Sequence, residues 1–287
     1  MTAIFKREFR SYFHNLTGFI FIAVFLIFNG IFITAYNLIY GYSEYEYTLS
    51  NLALILALLI PIITMRIFAE DRKMRTDKLL LSLPLTSSEI VIGKYLALLA
   101  VFAIPAAATV VSPLFLRIFG SLNFLSAYGA VLAFILLGAA LISICMYVSS
   151  KTENQIIAAI LCYLTILIIY LAGAVSPVLP SSPKGSFICF MVLAAFFTLV
   201  AYLSSRNIWV TVAAGCVFFI PLIILFIINP SVFDGLIGKA VEYVALFRRF
   251  DLFAYGTFDL RAIVLYLTLT FIFVFLTVRS VKKQQIN

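Results

Sequence analysis

The chain alternates between long apolar runs and short polar stretches. Eight runs reach about 20 residues, the length that a helix needs to cross the hydrocarbon core of a bilayer. The runs are continuous rather than alternating in polarity, which favours helices over the strands of a barrel. The pattern predicts an all-α polytopic membrane protein with about eight transmembrane helices, at residues 16–38, 49–69, 95–117, 124–148, 155–175, 187–205, 208–229 and 261–279.

Composition supports a membrane location. The chain has 287 residues, of which 64% are hydrophobic and 11% are charged, and a soluble domain could not bury that much apolar surface. The first run is too long for the apolar region of a signal peptide, and no small-residue cleavage site follows it. We therefore expect a retained first span and a single transmembrane domain over residues 1–287.

The distribution of Lys and Arg sets the orientation of the spans. With the N-terminus inside, 14 of the 20 basic residues lie on the inner side and 6 on the outer side. The pattern predicts that both termini are cytoplasmic, which requires an even number of spans. The net charge of +8 needs no nucleic-acid partner, since the basic residues lie beside spans. The outer loop at 39–48 carries four tyrosines, as an interfacial aromatic belt would.

The first 15 residues predict an amphipathic helix in the inner headgroup region. Apolar side chains recur there at helical spacing, and basic ones fall mostly on the other side. The alternative is a basic flank that only fixes topology. The apolar set is Ile4, Phe5, Phe9, Tyr12 and Phe13, and the basic set is Lys6, Arg7 and Arg10, followed by His14.

A charged segment at 70–94 separates the second run from the third. The stretch 76–83 is rich in leucine and ends at Pro84, and Thr86 and Glu89 have the spacing of a capping box. The pattern predicts a short amphipathic helix, a break, and a capped helix that runs into the third span. An exposed leucine face needs a lipid or protein partner.

The outer segment 230–260 is too charged for an ordinary span. It predicts a helix pair at the outer surface, partly dipping into the membrane. Arg248 and Arg249 are candidates for contact with anionic lipid or substrate. The alternative is a structural cap.

The sequence offers no candidate catalytic or metal site. It contains no GxxxxGK[ST] phosphate loop and one histidine, and its four cysteines lie far apart in apolar runs, where they suit small buried hydrophobes. All twelve acidic residues lie outside the predicted span cores. This disfavours a stand-alone ion-driven carrier, although uncharged polar groups could still bind Na⁺.

Two regions carry a family resemblance. The first reads Arg66, Phe68–Arg72, Leu79–Ser82, Pro84, Glu89–Val91, Gly93 and Lys94, and the second reads Gly256–Arg261, Tyr266 and Leu276–Arg279. Both resemble type-2 ABC-transporter permeases, especially the branch that includes the gliding-motility and nitrous-oxide-reductase-maturation permeases. Asp71 and Arg75 depart from the branch pattern. Family members typically have six spans, so we expect the pair at 187–229 to be the additional one.

The resemblance implies a permease subunit of an ATP-driven exporter in the bacterial cytoplasmic membrane. It implies dimerisation with a second permease copy or a homologue, two separate ATP-binding subunits that hold ATP and Mg, and a possible accessory subunit. No cofactor is expected on this chain. The helix near 76–83 corresponds to a coupling helix and residues 1–15 to an elbow helix with Phe5, Lys6, Arg7, Phe9 and Arg10. The implied ATPase-contact residues are Arg72, Arg75, Asp77, Leu79, Leu80, Leu81, Leu83 and Glu89.

Three functional hypotheses follow. The first is an ATP-driven exporter subunit that moves an amphipathic peptide, lipid or drug. The second is a membrane anchoring or assembly protein that docks a soluble partner without transport. The third is a stand-alone secondary carrier.

Overall fold

The structure, a computed structural model, describes residues 1–42, 44–73, 86–118, 122–205, 208–254 and 259–286. Every regular element in these ranges is helical, so the predicted all-α fold is confirmed. The α-helices are α1 Thr2–His14, α2 Thr17–Phe32, α3 Tyr45–Thr64, α4 Arg66–Lys73, α5 Ser87–Leu116, α6 Phe124–Ser149, α7 Gln155–Val175, α8 Pro183–Ser205, α9 Ile208–Ile228, α10 Leu236–Val244, α11 Leu246–Ala254 and α12 Leu260–Ile286.

Short non-α segments join some of these helices. A π-helical segment, Ile33–Ile39, continues α2, and 3-10 turns occupy Ser176–Val178 and Pro230–Phe233. Only Met65 separates α3 from α4, and the second span therefore extends to Arg72.

Six helical segments in the described residues are long and apolar enough to cross a membrane. The number rises to seven if Pro221–Ile228 and Pro230–Val244, which meet at a bend of 115°, are counted together as one span. The expected eight are therefore not reached in the described part of the chain. The difference lies in α8 and α9. Both helices form where spans were predicted, but several of their side chains lie outside the described set, and neither helix is among the six. The six are Thr17–Ile39, Tyr45–Arg72, Ser87–Leu116, Phe124–Ser149, Gln155–Val178 and Leu260–Lys283.

The chain divides into two compact units, residues 1–168 with 249–287, and residues 169–248. The first unit is built around α6, which packs against α3, α5 and α12. The rings of Phe25, Phe102 and Phe250 surround Phe134, with centroid distances of 6.1 to 6.4 Å. Gly138 lies where α5 crosses α6, and a Cβ there would lie 2.4 Å from the Phe102 ring. Glycine at this position therefore permits the close approach of α5 and α6.

In the second unit, α8 and α9 pack side by side. Phe233 is 2% exposed, and three rings from these helices surround it at 5.7 to 6.2 Å. Ser176 Oγ donates a hydrogen bond to the Gly238 carbonyl at 3.3 Å, which fixes α10. The helix pair predicted within 230–260 is found as α10 and α11. Its position relative to a membrane stays a prediction.

The four cysteines differ in exposure. Cys145 and Cys162 are buried, and Cys162 Sγ donates to the Cys145 carbonyl at 3.4 Å. Cys189 is half-buried and Cys216 is exposed in this chain. The expectation that all four are buried is correct for the first two and wrong for Cys216.

Candidate functional site

A buried lysine joins three helices at the end of the bundle that carries the 74–85 loop. Lys94 lies in the second turn of α5, and its side chain is 1% exposed. Its Nζ donates to Glu8 Oε1 of α1 at 3.0 Å and to Asp71 Oδ2 of α4 at 2.5 Å. It also donates to the Ile67 carbonyl at 2.7 Å. A buried ammonium is tolerated only when it is paired and hydrogen-bonded, and here three acceptors meet that need.

Arg7 completes this group of charges. Its Nη2 lies 2.5 Å from Glu8 Oε1 and 3.6 Å from Asp71 Oδ2. The two basic and two acidic side chains therefore balance in formal charge. We call Arg7, Glu8, Asp71 and Lys94 the charged anchor. Because its members come from α1, α4 and α5, it ties the N-terminal helix to both helices that flank the loop.

Close packing supports the same junction. A Cβ on Gly93 would lie 3.2 Å from Ile4 side-chain atoms, so glycine lets α1 approach α5 closely. Tyr12 donates from its hydroxyl to the Ile63 carbonyl at 2.7 Å. Burial raises the pKa of Tyr12 well above its usual value, which keeps the hydroxyl protonated as a donor. The helix α1 is thus held along its length from Ile4 to Tyr12.

The start of the loop is tied to two further elements. Arg66 pairs with Glu70 through Nε at 2.8 Å and Nη2 at 2.9 Å, and it also contacts Thr17 at the start of α2. Arg72 donates to the carbonyls of Ser150 and Thr152 in the turn between α6 and α7. The last helical turns before the loop are therefore connected to α2 and to the α6–α7 turn.

The end of the loop is fixed by the predicted capping box. Glu89 N donates to Thr86 Oγ1 at 3.3 Å, and Thr86 N donates to Glu89 Oε2 at 3.0 Å. This reciprocal pair satisfies two backbone donors that a helix start otherwise leaves free. The capping-box prediction is confirmed. The loop 74–85 thus connects two helix ends that are each anchored by side-chain contacts.

A comparison with protein-family models finds a match over residues 3–212 to a model described as ABC-2 family transporter protein. The match covers most of the chain and includes the charged anchor and the loop. The chain belongs to the ABC-2 transporter family. A comparison with curated proteins finds no match.

Membership in the ABC-2 family gives the general role of the chain. It is a multi-pass membrane protein and a permease subunit of an ABC transporter, which agrees with the resemblance seen in its sequence. Members of the family work in general with an ATP-binding subunit. The match ends at 212, so the helix pair within 230–260 lies beyond it.

The residues expected to contact the ATPase are described only in part. Arg72 anchors α4, and Glu89 caps α5. The remaining six lie outside the described residues, as does the predicted coupling helix that contains most of them. These are Arg75, Asp77, Leu79, Leu80, Leu81 and Leu83.

The elbow residues lie on α1, which forms as predicted. Phe5 and Phe9 stack with centroids 5.9 Å apart, and Lys6 and Arg10 are exposed. Arg7, expected only as part of a basic face, belongs to the charged anchor. The buried face of α1 contains Glu8 between Ile4 and Tyr12, so that face is not purely apolar as the sequence suggested.

The two outer arginines are both half-buried on α11. The Arg248 Cβ packs against Gly173 of α7, since a Cβ added to Gly173 would lie 3.3 Å from it. Arg249 interacts electrostatically with Tyr266 of α12. A contact with lipid or substrate stays a prediction for both.

Sequence reasoning did not find the charged anchor. One signal was available, because Glu8 is the only acidic residue in α1 and it shares a helical stripe with Ile4 and Tyr12. An acid on a buried stripe needs a buried cation, but that cation, Lys94, lies 86 residues away along the chain. No group of three or more potential metal ligands occurs in the described ranges.

Proposed function

We propose that this chain is the membrane subunit of an ATP-driven exporter and that the 74–85 loop transmits force from a separate ATP-binding subunit. The observation that carries the proposal is the family match over 3–212, which includes this loop. The full sequence has no phosphate-binding GxxxxGK[ST] motif, so ATP and its Mg²⁺ would be held by the partner.

The contacts at the loop support a mechanical role. The helices on either side of it run directly into the spans Tyr45–Arg72 and Ser87–Leu116. Lys94 joins those two helices to each other and to α1. A displacement of the loop would therefore move α1, α4 and α5 together, because separating them would leave charges buried without partners.

The wider assembly follows the same proposal. Two ATP-binding subunits would act on a dimer of this chain or on a pair with a homologous permease. Both termini would be cytoplasmic in the bacterial inner membrane, with α1 at the inner lipid surface and the α10–α11 pair on the outer side. The cargo would be an amphipathic peptide, lipid or drug, and an accessory subunit is possible.

The loop contact is tested by Leu80→Asp. The proposal places Leu80 at the contact with the ATPase, where a carboxylate would be buried without a partner. We expect Leu80→Asp to abolish coupled ATP turnover in proteoliposomes that contain both subunits, whereas Leu80→Met retains it. Normal assembly and full ATP-driven activity of Leu80→Asp would contradict the assignment of the loop.

The outer arginines are tested by the double variant Arg248→Ala/Arg249→Ala. We expect assembly with the ATPase to stay intact, because both residues lie outside the matched region and away from the loop in sequence. Transport activity is then measured in the same proteoliposomes. Loss of assembly would contradict this expectation, and a change in transport with assembly intact would support a contact with lipid or cargo.

A further inference from the structure

Four tyrosine rings form a closed circuit between the end of α2 and the start of α3. Tyr36 contacts Tyr40 and Tyr47, and Tyr42 contacts the same two rings. The four centroid distances lie between 5.0 and 6.4 Å. We call these four residues the tyrosine circuit. Tyrosines of an ordinary interfacial belt need not meet, so the closed arrangement requires its own explanation.

The backbone that carries the circuit is held in place by hydrogen bonds. Asn37 Nδ2 donates to the Tyr42 carbonyl at 2.8 Å, and Asn37 Oδ1 accepts from Thr48 Oγ1 at 2.7 Å. The chain reverses at Gly41, whose φ of +69° suits glycine. Tyr36 and Asn37 lie in the π-helical segment, a form that often occurs at functional sites. The rings are thus arranged before a ligand arrives, which lowers the ordering cost of binding.

The circuit is open to its surroundings and has negative charges beside it. Tyr40 and Tyr42 are 68% and 52% exposed. No Lys or Arg occurs between residues 11 and 65, whereas Glu44 and Glu46 lie between Tyr42 and Tyr47 of the circuit. Glu44 is exposed and Glu46 is 4% exposed. Acidic residues beside the rings, with no basic residue in this part of the sequence, favour a cation over an anion.

We propose that the tyrosine circuit binds the quaternary ammonium headgroup of a net-cationic amphiphile. Neighbouring centroids lie 5.0 to 6.4 Å apart, so a cation that rests on the exposed ring faces would lie within about 6 Å of more than one centroid, the range of cation–π attraction. The exposed carboxylate of Glu44 adds attraction for a cation and repulsion for a phosphate. This charge balance favours a net cation over a zwitterionic phosphocholine lipid. The binding does not depend on the proposed transport function.

The test uses the full chain in the uncharged detergent dodecyl maltoside. Dissociation constants are measured by saturation-transfer NMR for choline, for phosphocholine and for 3,3-dimethylbutan-1-ol, the neutral carbon analogue of choline. We expect choline to bind about fivefold or more tightly than the neutral analogue, because only the charge differs. We also expect choline to bind more tightly than phosphocholine.

Variants locate the site. Tyr40→Leu should raise the dissociation constant for choline about two- to fivefold, whereas Tyr40→Phe keeps the ring face and most of the affinity. Tyr243→Leu is the matched control, because Tyr243 is 61% exposed and lies outside the circuit. Glu44→Gln changes an exposed charge without disturbing the ring contacts, so it tests the site even if Tyr40→Leu does not fold. It should weaken choline binding and leave binding of the neutral analogue unchanged.

Each other outcome overturns the proposal. Equal affinity for choline and the neutral analogue would show that charge is not recognised. Equal losses in Tyr40→Leu and Tyr243→Leu would place binding elsewhere. Phosphocholine binding at least as tight as choline would replace the cationic amphiphile with a lipid headgroup as occupant. Choline affinity unchanged in both Tyr40→Leu and Glu44→Gln would exclude the circuit.

Discussion

Replacing Lys94 with methionine removes the cation at the centre of the charged anchor and keeps a side chain of similar length. The change leaves Glu8 and Asp71 without their lysine partner, and breaking a buried ion pair in this way typically costs about 3–5 kcal/mol. Two features reduce the cost. Arg7 remains 2.5 Å from Glu8, and the side chain of Asp71 is 21% exposed. We therefore expect Lys94→Met to lower the free energy of unfolding by about 2–3 kcal/mol.

The two buried cysteines provide the assay. Cys145 and Cys162 are inaccessible in the folded chain, so a thiol-reactive fluorophore reports their exposure on heating. The background carries Cys189→Ala and Cys216→Ala to remove the more accessible thiols. For a chain of this size the predicted loss corresponds to a fall of roughly 3–5 °C in Tm.

Two controls separate charge from packing. Lys239→Met removes an exposed lysine and should leave Tm unchanged. Adding Glu8→Gln and Asp71→Asn to Lys94→Met neutralises the buried acids and should recover more than half of the loss. A Tm for Lys94→Met equal to that of Lys239→Met would refute the anchor, and a triple variant less stable than Lys94→Met would show that its charges are not the source of stability.

Two further changes test packing and capping. Gly138→Ala should destabilise the chain by about 1–3 kcal/mol, because the new methyl group would meet the buried ring of Phe102. The control Gly30→Ala places no atom within 4 Å of the new Cβ and should cost nothing in the same thermal assay. Equal effects of the two changes would contradict the α5–α6 contact. Thr86→Ala should cost about 1 kcal/mol by removing the α5 cap, and Thr86→Ser should restore it; an unchanged Tm in Thr86→Ala would show that the cap adds no stability.

Much of the helical architecture could be predicted because each apolar run ends at a polar turn. The spans expected at 124–148 and 155–175 form as Phe124–Ser149 and Gln155–Val175, since Asn123 and the turn at 150–154 interrupt the apolar sequence. The capping box was also predictable, because its residues lie three positions apart. Local patterns of this kind need no knowledge of tertiary structure.

The charged anchor could not be predicted, because it depends on how distant helices pack. Glu8 and Lys94 are 86 residues apart, and the local sequence pattern of neither helix identifies the other residue as its partner. In the sequence, Gly93 and Lys94 stand out only as part of a family motif. In the structure, Gly93 permits the close approach of α1 to α5, and Lys94 fixes that approach through its contact with Glu8. The tyrosines at 40–47 likewise suggested a belt, and only the fold shows that a ring of the π-helical segment meets a ring of α3.

A contact between an ATP-binding subunit and residues 74–85 is the central feature of the proposed function. The measurement is purification of the tagged chain from its native membrane in mild detergent after crosslinking from a residue in that loop, with mass spectrometry of the crosslinked peptides. We predict a stoichiometric P-loop ATPase whose crosslinked peptide joins residues 74–85. Purification without an ATPase, or crosslinks from the loop only to lipid or to the chain itself, would contradict the account.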